Sequence, residues 1–244
     1  MFRNIFGNLT DVVKNLLILN VLFFLATFLF QNQGIYLKAD LGSYYPGSPN
    51  FKPYQIVTHF FMHADFRHIL FNMFGLIFMG PMLENYWGKK RFVIFYFVTA
   101  LGAWFFHFLI QGIEIHNLTG EWFPNVMSDI QFNIDTIEYN ILPGNENYRQ
   151  VAKTYLTPVL GASGAIYGLL MAFAMLFPNT EFRLLFPPIA LKAKWFALIL
   201  GVFALYQGYE NSTGDSIAHF AHLGGMIFGF IMIKIWQKDR SNFY

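Results

Sequence analysis

The 244-residue chain is predicted to be an all-α membrane protein, a bundle of six transmembrane helices with both termini in the cytoplasm. Three observations predict this fold. Hydrophobic residues make up 55% of the chain and charged residues only 12%, whereas soluble domains carry roughly 25% charged residues. Six apolar segments approach the roughly 20 residues that a spanning helix needs. Lysine and arginine concentrate on one side of these segments.

In chain order, the predicted helices run from about 12 to 30, 66 to 83, 92 to 110, 157 to 177, 189 to 209 and 217 to 236. The first is interpreted as a retained anchor, because its apolar run is long and no small-residue signal-peptide cleavage site follows "FLFQNQGIY". No repeat, low-complexity tract or linker marks a second domain. Residues 1–244 are therefore predicted to form a single membrane domain.

Basic residues set the predicted orientation, because cytoplasmic loops are enriched in Lys and Arg. One side holds 11 of the 16 basic residues: Arg3, Lys14, Lys89, Lys90, Arg91, Arg183, Lys192, Lys194, Lys234, Lys238 and Arg240. The other side holds the remaining 5: Lys38, Lys52, Arg67, Arg149 and Lys153. The loops 31–57 and 111–156 are then external. The acids of the longer loop fit a solvated face: Glu114, Glu121, Asp129, Asp135, Glu138 and Glu146.

Composition also excludes several classes of function. A net charge of +2 over this length provides no basic stripe, so nucleic acid is not expected as a partner. The absence of cysteine excludes a disulfide framework, a thiolate metal site and a cysteine nucleophile. Neither a metal nor a cofactor is predicted.

Polar residues recur at one depth in the second, fourth and sixth predicted helices. Asn72 and Ser163 each lie about six residues into their helices, His222 lies five into its helix, and His68 lies one turn above Asn72. At 1.5 Å per residue, they share a level roughly 10 Å below the outer surface. Each alone is explained by helix capping, helix bridging or core packing. Polar groups at membrane depth are costly, however, and their coincidence favours a functional site or a water-filled cavity.

Glycines predict that the fourth and sixth helices approach closely. The fourth carries Gly161, Gly164 and Gly168, and the sixth carries Gly225 and Gly229 in GxxxG spacing. Glycines near the start of the fourth helix also leave backbone N–H groups accessible to a developing oxyanion.

Helical spacing places the candidate side chains on facing surfaces. His222 shares one face with Gly225 and Gly229, and Ser163 shares one face with Tyr167, one turn deeper. Ser163 is then expected within hydrogen-bond reach of His222, with Tyr167 supporting the imidazole ring. This is the arrangement of a nucleophile and its base.

Three segments resemble the rhomboid intramembrane serine proteases. "GASGAIYG" resembles the GxSG nucleophile motif with its tyrosine, "AHFAHLGGMIFG" resembles the sixth-helix motif, and "HADFRHILFNMFGL" resembles the second-helix HxxxxHxxxN pattern. The likeness covers about residues 12 to 236, with the motifs in the family's order.

The resemblance implies Ser163 as nucleophile and His222 as general base and then acid. It also implies that His68, Asn72 and the Ser163 N–H stabilise the oxyanion, and that His63 lines the water-filled cavity above them. His222 is preferred over His219 as the base because it precedes "LGG"; His219 is expected along the water path.

The chain departs from the family pattern in two places. Tyr54 and Gln55 stand where the family's first external loop often carries a Trp-Arg pair, and the long insertion between the third and fourth helices has no assigned role.

No carboxylate stands at the depth of His222, so the resemblance implies a Ser-His dyad. Asp215 lies nearer the surface and is expected to pair with His219 or with solvent. The expected substrate is a single-span or other transmembrane protein that enters sideways from the lipid bilayer and unwinds. Candidates for a lateral gate are Phe71, Trp195 and Phe203. A bacterial inner membrane is the expected location.

Two alternatives remain. Seven histidines, several at membrane depth, are also compatible with a membrane cytochrome that holds haem through axial pairs. A proteolytically inactive relative that binds membrane clients is the other, although such relatives typically lack the serine or the base.

Overall fold

The computed structural model describes residues 9–126, 130–133, 138–141, 146–183, 190–210 and 219–241. Arg3, Asp129, Asp135 and Asp215, for which roles or positions are predicted above, lie outside the described residues, as do the side chains of Glu138, Arg183 and Arg240. The helices are α1 Asp11–Gln31, α2 Leu37–Leu41, α3 Gln55–Thr58, α4 Phe66–Trp87, α5 Lys89–Thr119, α6 Glu146–Leu156, α7 Ser163–Leu176, α8 Ala193–Glu210 and α9 His219–Ser241. A 3-10 turn, His59–Phe61, follows α3.

Four helical segments are long and apolar enough to cross a membrane by length and composition: Asp11–Gln31, Phe66–Trp87, Lys89–Thr119 and His219–Lys238. The apolar helix α7 is shorter. The chain is therefore an integral, multi-pass membrane protein, and the predicted helical membrane bundle is confirmed at this level.

Two short antiparallel hairpins accompany the helices of the predicted all-α bundle. One pairs β1 Ile130–Asn133 with β2 Glu138–Ile141, and the other pairs β3 Glu181–Arg183 with β4 Ala190–Lys192. Each hairpin lies between two helices, and its backbone N–H and C=O groups find their partners across the two strands.

Several predicted helix bounds are wrong. The fifth predicted helix begins at Ala193 and not at 189, because residues 190–192 form β4. The largest errors are at the end of the third predicted helix and the start of the fourth. α5 runs to Thr119, nine residues beyond the predicted end at 110, because no proline or glycine cap stops it before Gly120 in the left-handed conformation. α7 begins at Ser163, not at 157, because Gly161 has φ +113° and Val159 pairs with Ser43 as an isolated antiparallel bridge. Ser163 is thus the first residue of its helix, and the depth counted from residue 157 is incorrect.

Small residues bring α7 against α9 and α5. A Cβ added to Gly225 would collide with the carbonyl oxygen of Gly164, and one added to Gly229 would lie 2.9 Å from the carbonyl oxygen of Gly168. On its other side, Gly164 lies against the Ala103 methyl group. α7 is therefore buried at the centre of the bundle with most of its side chains inaccessible.

Near the C-terminal end of α4, a buried carboxylate holds the start of α1. Glu84 accepts hydrogen bonds from the Val12 and Val13 N–H groups at 3.2 and 3.0 Å, and from the Thr10 hydroxyl. The first N–H groups of a helix have no intrahelical partner, so Glu84 caps α1 from another helix.

A second hydrophobic cluster joins the first loop, residues 32–65, to the insertion, residues 120–156. Tyr45 of the loop stacks on Tyr155 of α6 with ring centroids 5.6 Å apart, and the Ser48 hydroxyl donates to the Tyr155 carbonyl at 2.6 Å. The two tyrosine rings belong to the same cluster as Phe108 and Ile115, in the C-terminal half of α5. The insertion is thus packed onto the loop that leads to α4.

Candidate active site

A tight turn presents the candidate serine. The Gly161 N–H donates to the His59 carbonyl at 2.8 Å, and the positive φ of Gly161 redirects the chain into α7. Only glycine adopts this backbone conformation at low cost. Because Ser163 opens α7, its own N–H is among the groups that the helix leaves without an internal acceptor.

The candidate serine and histidine meet across the α7–α9 contact. Ser163 Oγ lies 2.9 Å from His222 Nε2, and the two residues come from helices that the Gly164–Gly225 contact holds together. This is hydrogen-bond distance for a hydroxyl and an imidazole nitrogen. The pair can transfer a proton without further movement of the helices.

Tyr167 lies one turn deeper on α7 and covers a face of the imidazole. Its ring is stacked on the His222 ring, with centroids 4.1 Å apart and planes 4° from parallel. His219, one turn before His222, presents its ring edge-on at a centroid distance of 6.0 Å. The orientation of His222 is therefore constrained by Ser163 and by two rings.

His68 and Asn72 converge on the turn from α4. A Cβ added to Gly161 would lie 2.6 Å from His68 Nε2 and 3.6 Å from Asn72 Nδ2. Asn72 is buried, and its Nδ2 has no hydrogen-bond partner among the described residues. Both nitrogens thus border the same space beside the turn that precedes Ser163.

The N-cap of α4 holds the backbone of His68 in place. Asp65 is the N-cap and accepts a hydrogen bond from the His68 N–H at 2.9 Å, which lowers the pKa of the Asp65 carboxyl. The His68 ring nitrogen Nδ1 accepts a long bond, 3.4 Å, from the Ala64 N–H. In a neutral imidazole with Nδ1 as acceptor, Nε2 carries the proton, so His68 Nε2 is a donor.

His63 packs behind this group. Its side chain is completely buried, and its ring contacts the His68 ring edge-to-face at 5.1 Å. In the structure, His63 therefore packs against His68.

Two buried histidines, His59 and His107, were not predicted to belong to the site. The His59 ring bonds the Gln55 carbonyl through Nδ1 at 2.7 Å, and burial lowers the pKa of His59 to about 4. His107, on α5, is also buried. The sequence feature that could have identified them is their position in apolar stretches, because burying a polar ring lowers stability unless the ring is hydrogen-bonded.

A small cavity lies behind Ser163. Its lining includes His59, Ala103, Trp104, Leu160 and Ser163. Within the described ranges, no three or more His, Cys, Asp or Glu side chains are grouped so that they could hold a metal ion.

Comparison with known proteins gives one family. The model of the Rhomboid domain matches residues 50–238. The putative rhomboid protease YdcA of Bacillus subtilis is 23% identical over 238 residues, covering 96% of this chain and 94% of that protein.

Organellar proteins are similar over a smaller part of their length. Rhomboid-like protein 16, chloroplastic, of Arabidopsis thaliana is 23% identical over 76% of this chain and 49% of its own length. Rhomboid protein 1, mitochondrial, of Saccharomyces cerevisiae is 25% identical over 76% of this chain and 44% of its own length. The chain spans about half the length of these two relatives.

Proposed function

The chain belongs to the rhomboid family, and from that premise we propose that it is an intramembrane serine endopeptidase. It would hydrolyse peptide bonds in or near the transmembrane segments of other membrane proteins through a Ser163–His222 dyad. The observation that carries the proposal is the 2.9 Å separation of Ser163 Oγ and His222 Nε2 across the α7–α9 contact.

In this mechanism, His222 Nε2 takes the proton of the Ser163 hydroxyl as Oγ attacks the scissile carbonyl carbon. The tetrahedral intermediate collapses as the imidazolium gives that proton to the leaving amine, which departs and leaves an ester on Ser163. Water then attacks the ester carbonyl while His222 accepts its proton. The second collapse releases the new carboxyl terminus, and His222 returns the proton to Ser163 Oγ.

Three donors are available for the oxyanion in both intermediates. The Ser163 N–H lies at the start of α7, where the helix dipole also favours negative charge. His68 Nε2 and Asn72 Nδ2 border the same turn. Preorganised donors of this kind stabilise charge that develops in the transition state, and losing one costs about 100- to 1000-fold in kcat.

In a catalytic triad, a carboxylate orients the imidazole. The proposed dyad relies on another group for this role. The Tyr167 ring supplies this by stacking on His222. His219, on the preceding turn of α9, limits movement of the imidazole away from Tyr167.

We also propose six membrane spans, with α7 and α8 joining the four long apolar helices, within a single domain that includes both external loops. The basic-residue distribution supports cytoplasmic termini. The first loop, the insertion and Ser163 would then face the external side. The near-complete overlap with the Bacillus subtilis relative supports a bacterial inner membrane.

The substrate would reach Ser163 from the lipid between α4 and α8. Side chains on these helices that were predicted as gate residues are exposed on the bundle surface: Phe71, Trp195 and Phe203 are 68%, 51% and 52% exposed. A transmembrane helix entering there must unwind locally, since a helical peptide bond is not open to attack.

The test is cleavage of a panel of single-span proteins by the purified chain in reconstituted vesicles, with Ser163→Ala as the control. Cleavage that is lost in Ser163→Ala supports the proposal. Binding of these proteins without cleavage by the wild type would favour the inactive client-binding relative. A haem Soret band in the purified protein would favour the cytochrome.

A further inference from the structure

Gln55 is a buried amide in the first loop that the mechanism above does not use. Its side chain is 1% exposed. Its Nε2 donates to the Asp40 and Asn50 carbonyls, both at 3.1 Å, and its Oε1 accepts the Lys52 N–H at 3.0 Å. One side chain thus ties together three points of the loop, the farthest of which lies 15 residues from Gln55.

The same residue is linked to the candidate active site through its backbone. The Gln55 carbonyl bonds His59 Nδ1 at 2.7 Å, which fixes the 3-10 turn that follows α3. The His59 carbonyl in turn accepts the Gly161 N–H at 2.8 Å. Gly161 lies two residues before Ser163, so a displacement of the 3-10 turn moves the start of α7.

A second contact holds the same segment to the first loop. Ser43 and Val159 exchange both backbone hydrogen bonds, at 3.0 and 2.8 Å, and the Trp104 indole donates to Ser43 Oγ at 2.8 Å. The residues before Ser163 are therefore attached to the first loop at two points. The position of the serine depends on the loop keeping its shape.

We propose that Gln55 is a positioning residue for the reaction: by holding the first loop, it sets the place of the Gly161 turn and hence of Ser163 relative to His222 and the oxyanion donors. Gln55 touches neither Ser163 nor the space beside it, so it acts through His59 and Gly161. This inference rests on the proposed protease function. A misplacement of about 1 Å at a reacting group costs roughly 100-fold in rate, so a small change in the loop has a large effect on turnover.

The test compares Gln55→Leu, which has similar volume and no side-chain hydrogen bonds, with Gln55→Arg, whose guanidinium again offers N–H donors. The matched control is Thr27→Val in α1, which removes another buried side-chain bond to a carbonyl, at 2.9 Å, outside the first loop. For each variant, kcat and KM for a cleaved single-span protein, the rate of Ser163 labelling by a fluorophosphonate and the thermal unfolding temperature are measured.

We expect Gln55→Leu to lower kcat and the labelling rate by about 10- to 100-fold, within the range for misplacements up to about 1 Å, while KM changes little. Gln55→Arg should recover most of both rates. Thr27→Val should lower the unfolding temperature with kcat unchanged. If Gln55→Leu does not fold, Gln55→Glu, which keeps the acceptor for Lys52 and loses the donors, carries the same expectation.

Unchanged kcat and labelling in a folded Gln55→Leu would overturn the inference, as would an equal loss in Thr27→Val or no recovery in Gln55→Arg. These outcomes are separate from failure of the proposed function. That failure would appear as cleavage by Ser163→Ala that equals cleavage by the wild type.

Discussion

Tyr167 and His222 stack face to face, with ring centroids 4.1 Å apart and planes 4° from parallel. Since Ser163 Oγ lies 2.9 Å from Nε2 at the edge of the same imidazole, the tyrosine ring controls the tilt that aims this nitrogen at the hydroxyl. The phenol hydroxyl is not needed for that contact.

Replacing the ring should therefore matter more than removing the hydroxyl. We expect Tyr167→Phe to keep most of kcat and Tyr167→Leu to lower it by about twofold to tenfold, the range that corresponds to the roughly 0.5–1.5 kcal/mol of an aromatic pair beyond its buried area. Steady-state cleavage in vesicles measures both. Equal kcat in the two variants would show that the stacking does not orient His222.

Removing either member of the dyad should abolish cleavage while the protein still inserts and folds, because the nucleophile and its base act as a unit. Ser163→Ala and His222→Ala are compared by cleavage of a single-span protein and by circular dichroism. His219→Ala is the matched control and should retain clear activity. Loss of activity in His219→Ala equal to that in His222→Ala would reassign the base.

The two donors from α4 should contribute to turnover without being essential. We expect Asn72→Ala and His68→Ala each to lower kcat by about 100- to 1000-fold, as the loss of one oxyanion donor does elsewhere. KM should change less, because the donors act on charge that is absent from the bound substrate. Wild-type kcat in both variants would make these residues part of the packing only.

The glycine contact between α7 and α9 should set the distance between Ser163 and His222. Gly225→Ala places a methyl group against the Gly164 carbonyl, a backbone atom that cannot rotate away. We expect a loss of about 100-fold or more in cleavage and in fluorophosphonate labelling, the consequence of a shift of about 1 Å.

Gly201→Ala on α8 is the control for that variant, because its added methyl group meets only the flexible Met226 side chain at 3.3 Å. It should label at nearly the wild-type rate. Normal labelling of a folded Gly225→Ala would mean that the glycines do not fix the dyad.

Glu84 should contribute to stability. In Glu84→Ala, the Val12 and Val13 N–H groups lose their acceptor, and an unsatisfied buried donor costs about 1–3 kcal/mol. Denaturant-induced unfolding in mixed micelles measures the change. Lys89→Gln breaks the Lys89–Asp11 ion pair, whose side chains are mostly exposed and screened by water, and should leave the unfolding free energy nearly unchanged. Equal losses in the two variants would contradict the capping role.

The sequence contains the information for the helix pairing but not for the turn between the insertion and α7. Gly225 and Gly229 could be identified from their spacing alone, because GxxxG reports a close helix contact. The start of α7 could not, because the short sequence TPVLGA at 157–162 fits an extended segment as well as a helix. That segment is extended because two residues distant along the chain bond its backbone: Ser43 donates to and accepts from Val159, and the His59 carbonyl accepts from the Gly161 N–H.

The same limit applies to the site. Ser163, His222, His68 and Asn72 stand out as polar residues in apolar helices, and the roles assigned to them remain predictions for the variants above. Gln55 and His59 carry no such signal, since their importance comes from which carbonyls they meet after folding. A glutamine in a polar loop is ordinary until its burial is known.

The length of α7 has a consequence for the water that hydrolysis consumes. Its 14 residues measure about 21 Å at 1.5 Å per residue, against a hydrocarbon thickness of about 30 Å. As one of the proposed spans, α7 would cover about two thirds of that thickness, and Ser163 at its first position would lie roughly 9 Å from the nearer aqueous phase. In the proposed mechanism, the water that attacks the ester on Ser163 would have only the remaining third to cross, along the segment whose Val159 and Gly161 backbone groups bond the first loop.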